Sequence, residues 1–137
     1  MPILVDIVSA EQAIYSGPAD MVFAPGIMGE LGIAPQHAPL LTRLKPGEVR
    51  IRDENRDMSY FISGGMLEIQ PHLVTILADT AIRADDIDEA AALEAREKAE
   101  QTMADRKSDM DYARAQAELA ELAAMIETIK KIRKRRA

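Results

Sequence analysis

No glycine or proline occurs after Pro71 in this chain. The last glycine is Gly65, so the final 66 of 137 residues lack both residues that most disfavour a helix interior. In that setting Gly costs roughly 1 kcal/mol and Pro roughly 3 relative to Ala. All seven glycines and all seven prolines fall in the first half, where they punctuate short β-prone runs. The chain is therefore two kinds of polymer in sequence: one that must turn repeatedly, and one with nothing to stop a helix.

In the first half, Ile3–Val8, Asp20–Phe23, Glu48–Arg52, Met58–Ser63, Met66–Ile69 and Leu73–Leu77 are strand candidates. The clearest is Glu48–Arg52, where Val49 and Ile51 alternate with Arg50 and Arg52, as a strand with one wet face requires. Strands of this length and spacing predict a sandwich or flattened barrel. The segment from Gly29 to Leu41 departs from the rhythm and reads as an elaborate loop, with Glu30 and His37 as its titratable members. These are either solvated loop residues or part of a contact surface. Gly64-Gly65 reads as a tight turn.

The second half reads as two amphipathic helices. Asp86 is the expected cap of the first, with Glu89 reaching back to complete a capping box. Ala92, Ala95, Ala99 and Met103 share one face. The apolar pattern stops near Arg106-Lys107-Ser108, and Ser108 with Asp111 offers a second start. Tyr112, Ala115, Leu119, Leu122, Ile126, Ile129 and Ile132 then form a second stripe. The expected architecture is α+β in two parts: an N-terminal β domain over residues 1–84, as a β-sandwich or a flattened barrel, and a C-terminal antiparallel two-helix hairpin over 85–137. The first stripe is mostly alanine and buries little area, so the hairpin is expected to be marginal by itself. It is either a rigid brace or an element able to exchange partners.

Charge sharpens this. Net charge is −6, which argues against general nucleic-acid binding. Acids (Asp85, Asp86, Asp88, Glu89) crowd the start of the helical part. Lys130, Lys131, Arg133, Lys134, Arg135 and Arg136 crowd its end, six bases in seven positions. Both clusters suit the helix dipole, but six bases exceed what a dipole needs and invite an acidic partner. A free-standing module whose basic tip engages nucleic acid is the rival from another class. No cysteine, no metal-ligand spacing and no catalytic or phosphate-loop motif is present, so neither an enzyme nor a metal or cofactor site is expected.

Several segments in order resemble one family. They are Val8-Ser9-Ala10-Glu11, Gly29-Glu30-Leu31-Gly32-Ile33, His37-Ala38-Pro39-Leu40-Leu41-Thr42, Leu44-Lys45-Pro46-Gly47, Ser63-Gly64-Gly65 with Glu68, Val74 to Ala81, and Asp111-Tyr112-Ala113. Together they are similar to the epsilon subunit of bacterial F-type ATP synthase over essentially the full length. The resemblance implies a non-catalytic central-stalk subunit, peripheral on the cytoplasmic side of the bacterial plasma membrane and attached only through the complex. It implies a sandwich that binds the gamma subunit and rests on the c-ring, with Glu30 and His37 at the ring. It implies a mobile hairpin whose extended form meets the alpha and beta subunits and blocks ATP hydrolysis. The basic tip, with Arg114 as a further candidate, would then face an acidic segment of beta. One motif departs: where nucleotide-binding members carry an arginine after Ile-Asp-x-x, this chain has Ile87-Asp88-Glu89-Ala90-Ala91. Alanine offers a nucleotide neither charge nor donors. Useful ATP binding is therefore not expected, and only Arg96 or Lys98 stands near enough in sequence to replace the lost group.

Overall fold

The computed structural model describes residues 2–54, 56–104 and 109–136. Backbone contacts divide the chain into two compact units, Met1–Asp85 and Asp86–Ala137.

The first unit holds ten strands: β1 (Ile3–Ser9), β2 (Ala13–Ala19), β3 (Met21–Gly26), β4 (Gly29–Ile33), β5 (Leu40–Leu44), β6 (Gly47–Asp53), β7 (Arg56–Ile62), β8 (Gly65–Ile69), β9 (Leu73–Ala78) and β10 (Ala81–Arg83). One layer runs β10-β7-β6-β3, with β4 on the far side of β3, and the other runs β5-β8-β9-β1-β2. The layers are joined only where Gly26 of β3 meets Leu44 of β5, so the ladder folds over there into a sandwich. All neighbouring pairs are antiparallel except β1 with β9.

Period-two alternation fills the space between the layers. Ile3, Val5 and Ile7 of β1 point inward with Val74 and Ile76 of β9 and Leu67 and Ile69 of β8. They meet Val22, Val49, Ile51, Tyr60 and Ile62 from the other layer in a single cluster. Tyr15 and Tyr60 pack with ring centroids 6.1 Å apart and planes tilted by 53°.

The expected loop from Gly29 to Leu41 is corrected. Its glycines belong to a β3–β4 hairpin, in which Gly26 pairs with Gly29 and Val22 with Ile33. Leu40 and Leu41 open β5, leaving a shorter connection over residues 34–39. Two glycines and two prolines in eleven residues suggested a loop, but Leu31 and Ile33 still supply inward anchors. β2 also passes unnoticed in the sequence, because it contains Gly17 and Pro18. It is an edge strand, where a missing N–H is tolerated.

In the second unit a short 3₁₀ turn, Ala84–Asp86, precedes α1 (Glu89–Ala104), and α2 spans Asp109–Arg136. The cap is Asp88 rather than Asp86: its Oδ1 accepts the Ala91 N–H at 3.0 Å, and its carbonyl accepts the Ala92 N–H at 3.0 Å. Glu89 does not reach back to Asp86 but forms an ion pair with Arg133. That pair joins the start of α1 to the end of α2, so the helices run antiparallel. Ala92 and Ala95 pack against Leu122, Met125 and Ile126, and Ala99, Ala115 and Ile132 are also buried. Thr128 is buried on the same stripe, its hydroxyl donating to the Ala124 carbonyl at 2.9 Å. The expected second start at Ser108, with Arg106 and Lys107, lies outside the described residues, as does the Asp111 side chain.

Candidate functional site

The two outer faces of the sandwich differ in chemistry. On the layer containing β3, β6 and β7, the Arg50 guanidinium lies 4.2 Å from the Phe23 ring centroid, and that of Arg52 lies 5.7 Å away. Arg52 Nε also meets Asp57 at 3.3 Å, so this face is largely charged.

The other layer presents apolar side chains outward. Register places Arg43, Met66, Leu77 and Val8 in one row across β5, β8, β9 and β1. Leu73, Leu4 and Pro18 form another row. Between them lies a polar row in which Ser16 Oγ donates to Asp6 Oδ1 at 2.7 Å. Leu4, Leu41 and Leu77 are 54%, 65% and 53% exposed on this face. Alternation alone missed them, because β9 reads Leu-Val-Thr-Ile-Leu and an apolar run does not say which members face water. Leu41 stands in the middle row beside Glu68, so this face offers exposed apolar side chains interleaved with polar ones, a mixture suited to a contact surface.

Glu30 is exposed on β4, beside a turn whose two residues, Ile27 and Met28, are 55% and 94% exposed. His37 is half-buried in the connection before β5, with Nδ1 2.7 Å from the Ala38 carbonyl oxygen. That connection is tied to the β8–β9 corner by the Gln36 N–H, which donates to the Pro71 carbonyl at 2.9 Å. Among the described residues no hydrogen bond or ion pair joins Glu30 to His37. The sequence neighbourhood of the two therefore does not make one polar cluster.

At the end of α2, Ile132 is buried while Lys130, Lys131, Arg133, Lys134 and Arg135 are exposed around it. Arg133 is already engaged by Glu89. The Arg136 side chain lies outside the described residues. Arg114 is exposed near the other end of α2. At the start of α1, Asp88 is committed to its capping bonds, Ala91 is exposed, and Ile87 is half-buried. No group of three or more potential metal ligands occurs among the described residues. No described helix is long and apolar enough to cross a membrane.

Known proteins align with this chain along its length. Residues 3–84 match the family described as ATP synthase, Delta/Epsilon chain, beta-sandwich domain. Residues 85–130 match ATP synthase, Delta/Epsilon chain, long alpha-helix domain. The ATP synthase epsilon chain of Nitrosococcus oceani is 60% identical over 136 residues, covering 98% of this chain and 97% of its own. That of Nitrosomonas eutropha is 59% identical over 132 residues, covering 96% and 94%. Among solved structures, a chain of the Euglena gracilis mitochondrial ATP synthase (OSCP/F1/c-ring) superposes with a TM-score of 0.82 at 20% identity, covering 90% of this chain and 79% of that one. A chain of the Tetrahymena thermophila mitochondrial ATP synthase central stalk and c-ring gives 0.64 at 12% identity, covering 94% and 97%. At those identities the structural likeness speaks to fold.

Proposed function

The chain belongs to the ATP synthase delta/epsilon family as an epsilon chain, and on that premise we propose that it works as a rotor element of the central stalk. It is a non-catalytic subunit of a membrane-bound ATP synthase. In the proposed reading the sandwich holds the gamma subunit and the c-ring, which couples ring rotation to ATP synthesis. The helical unit limits ATP hydrolysis by extending toward the alpha and beta subunits. The complex would lie on the cytoplasmic side of the bacterial plasma membrane.

The observation that carries the stalk reading is the apolar outer face around Leu4, Leu41 and Leu77. We assign gamma to it, because a rotor subunit must be held by burial that survives torque, and this is the sandwich face with apolar area to bury. Glu30 and His37 are assigned to the ring through the resemblance of their segments. Support for a mobile hairpin comes from its packing. α1 contributes mainly alanine methyls to the interface, so each contact buries little and the pair opens at low cost. The Glu89–Arg133 pair occupies one member of the basic tip while the hairpin is closed. An acidic partner must displace Glu89 to reach that guanidinium. No nucleotide role is proposed for the start of α1, since Asp88 caps the helix and Ala91 supplies no donor.

The test is capture of isolated gamma by the full chain, measured by titration. Leu41→Lys with Leu77→Lys should weaken capture by at least tenfold, about 1.4 kcal/mol or more, while thermal unfolding stays within a few degrees. Unchanged capture would remove the assignment of this face. In the same preparation, calorimetric titration with Mg-ATP should show no heat of binding up to millimolar nucleotide; a saturable heat there would overturn the reading of Ala91.

A further inference from the structure

We propose that β10 is a releasable strap. Its three residues leave β7 when the helical unit extends, and the Ser63–Thr80 contact is where the release stops. This rests on the reading of the helical unit as mobile, and names the segment that lengthens its tether.

β10 is the shortest of the ten strands and lies at a sheet edge, paired with β7 through Ala81–Ile62, Ile82–Phe61 and Arg83–Tyr60. Its own side chains hold it weakly: Ala81 and Ile82 are half-buried and Arg83 is exposed. The β7 residues opposite, Tyr60, Phe61 and Ile62, are all buried. The backbone holds it weakly too. Along an antiparallel strand, residues alternate between those whose N–H and C=O face the partner and those that face away. The Thr80 carbonyl accepts the Ser63 N–H at 3.1 Å, so Thr80 and Ile82 face β7. Ala81 and Arg83 turn their backbone groups to the free edge. Within β10 one residue, Ile82, therefore carries the hydrogen bonding to β7. A strand end with one bonded residue and little buried area opens at low free energy.

The residues just before β10 are held firmly. Besides the Ser63 N–H bond, the Thr80 N–H and the Thr80 hydroxyl donate to Ser63 Oγ at 2.9 and 2.7 Å. The Asp79 N–H donates to the Gly64 carbonyl at 2.9 Å. Here β7 leads to β8 and β9 leads to β10, so the chain crosses between the two layers twice, side by side. The crossings are tightly packed: a Cβ on Gly65 would lie 2.1 Å from the Leu77 carbonyl oxygen. Opening that starts at Arg83 therefore runs back to Thr80 and halts. Arg83 lies just before the boundary between the units at Asp85 and Asp86, and α1 starts at Glu89. With β10 paired, the tether is residues 84–88; with β10 released, it is residues 81–88. At about 3.3 Å per extended residue its reach grows from about 17 to about 26 Å. Extension of the helical unit thereby costs one weak strand, and that cost sets how readily hydrolysis is restrained.

The test uses the full chain, alone and in inverted vesicles carrying ATP synthase stripped of its own epsilon chain. In the chain alone, the Ile82 amide should exchange hydrogen at least about a hundredfold faster than the Ser63 amide, and equal protection would overturn the strap. Ile82→Pro removes the N–H that faces Phe61 and so releases β10 permanently. Arg83→Pro removes one that faces the free edge and leaves the pairing intact. In the vesicles, Ile82→Pro should inhibit hydrolysis about threefold or more beyond the parent, because the extended state no longer waits on release, whereas Arg83→Pro should match the parent. If Ile82→Pro inhibits no more than Arg83→Pro, the strap fails; a chain ending at Asp86 that still raises hydrolysis then leaves the mobile reading standing. If that shortened chain has no effect on hydrolysis, both fail. The exchange measurement on the unaltered chain decides alone if a proline variant does not fold.

Discussion

Gly65 begins β8 at φ +153°, and a Cβ there would lie 2.1 Å from the Leu77 carbonyl oxygen in the neighbouring strand. The backbone of β9 cannot give way without losing its pairing. Gly65→Ala should therefore cost more than about 3 kcal/mol, strain and steric overlap together. Gly29 is the control: its φ is +137°, but nothing lies within 4 Å of its Cβ position, so alanine there should cost the backbone strain alone, about 1–3 kcal/mol. Denaturant midpoints of the two variants should rank in that order. A second residue-scale effect is alkaline. Burial raises the phenol pKa of Tyr15 and of Tyr60 above the ordinary 10.0; Asp53 adds to the rise at Tyr15, while Arg56 opposes it there and Arg83 opposes it at Tyr60. Above that pH the folded chain holds protons that the unfolded chain has released, so stability falls as pH rises. Below about pH 10 these two phenols should contribute no slope. Tyr60→Phe should flatten the alkaline limb of the unfolding midpoint; an unchanged limb would show that other groups set it.

Elements show where sequence reasoning works and where it stops. Glu48–Arg52 was legible because alternation and burial coincide there, and α2 because its seven-member apolar stripe recurs over nearly six turns without a breaker. β2 and β4 were not, since Gly and Pro signal turns locally while edge position and hairpin pairing decide their fate in the fold. The cap at Asp88 was missed for another reason. Asp85, Asp86 and Asp88 can all cap, and only the helical phase set by the buried Ala92 selects among them. Of the candidate site, the basic tip is legible as a charge run and Glu30 and His37 as the titratable members of their segment, while their ring role comes from resemblance alone; the apolar side chains at Leu4, Leu41 and Leu77 need the register of five strands. The hairpin carries its own prediction. Ile126→Ala removes the centre of its small core and should cost about 2–5 kcal/mol. Hydrogen exchange should then lose protection in α1 and α2 while β1 to β9 keep theirs. Glu89→Gln is gentler, since the ion pair is largely exposed and worth less than about 1 kcal/mol. It should still deepen inhibition of hydrolysis by up to about fivefold, by releasing Arg133 to a competing partner. Weaker inhibition in that variant would show that Glu89 helps the inhibited state instead.

At the scale of the molecule, the confinement of Gly and Pro to the first half acquires a physical use. Ten short strands make a unit that, in the proposed reading, holds its partners through sheet faces and hairpin tips. Two helices make the second unit, in which α2 alone is about 42 Å long at 1.5 Å per residue. The division falls at Asp85 and Asp86, so cutting there leaves the whole inward core of the sandwich intact. In the proposed function the first unit couples and the second restrains. The decisive measurement is ATP hydrolysis, alongside proton pumping, by vesicles stripped of their epsilon chain and refilled with either the full chain or a chain ending at Asp86. Both should restore pumping, and the shortened chain should leave hydrolysis several-fold faster than the full one. Equal hydrolysis rates at full occupancy would contradict the restraining role of the helices, and failure of both chains to restore pumping would contradict the coupling role of the sandwich.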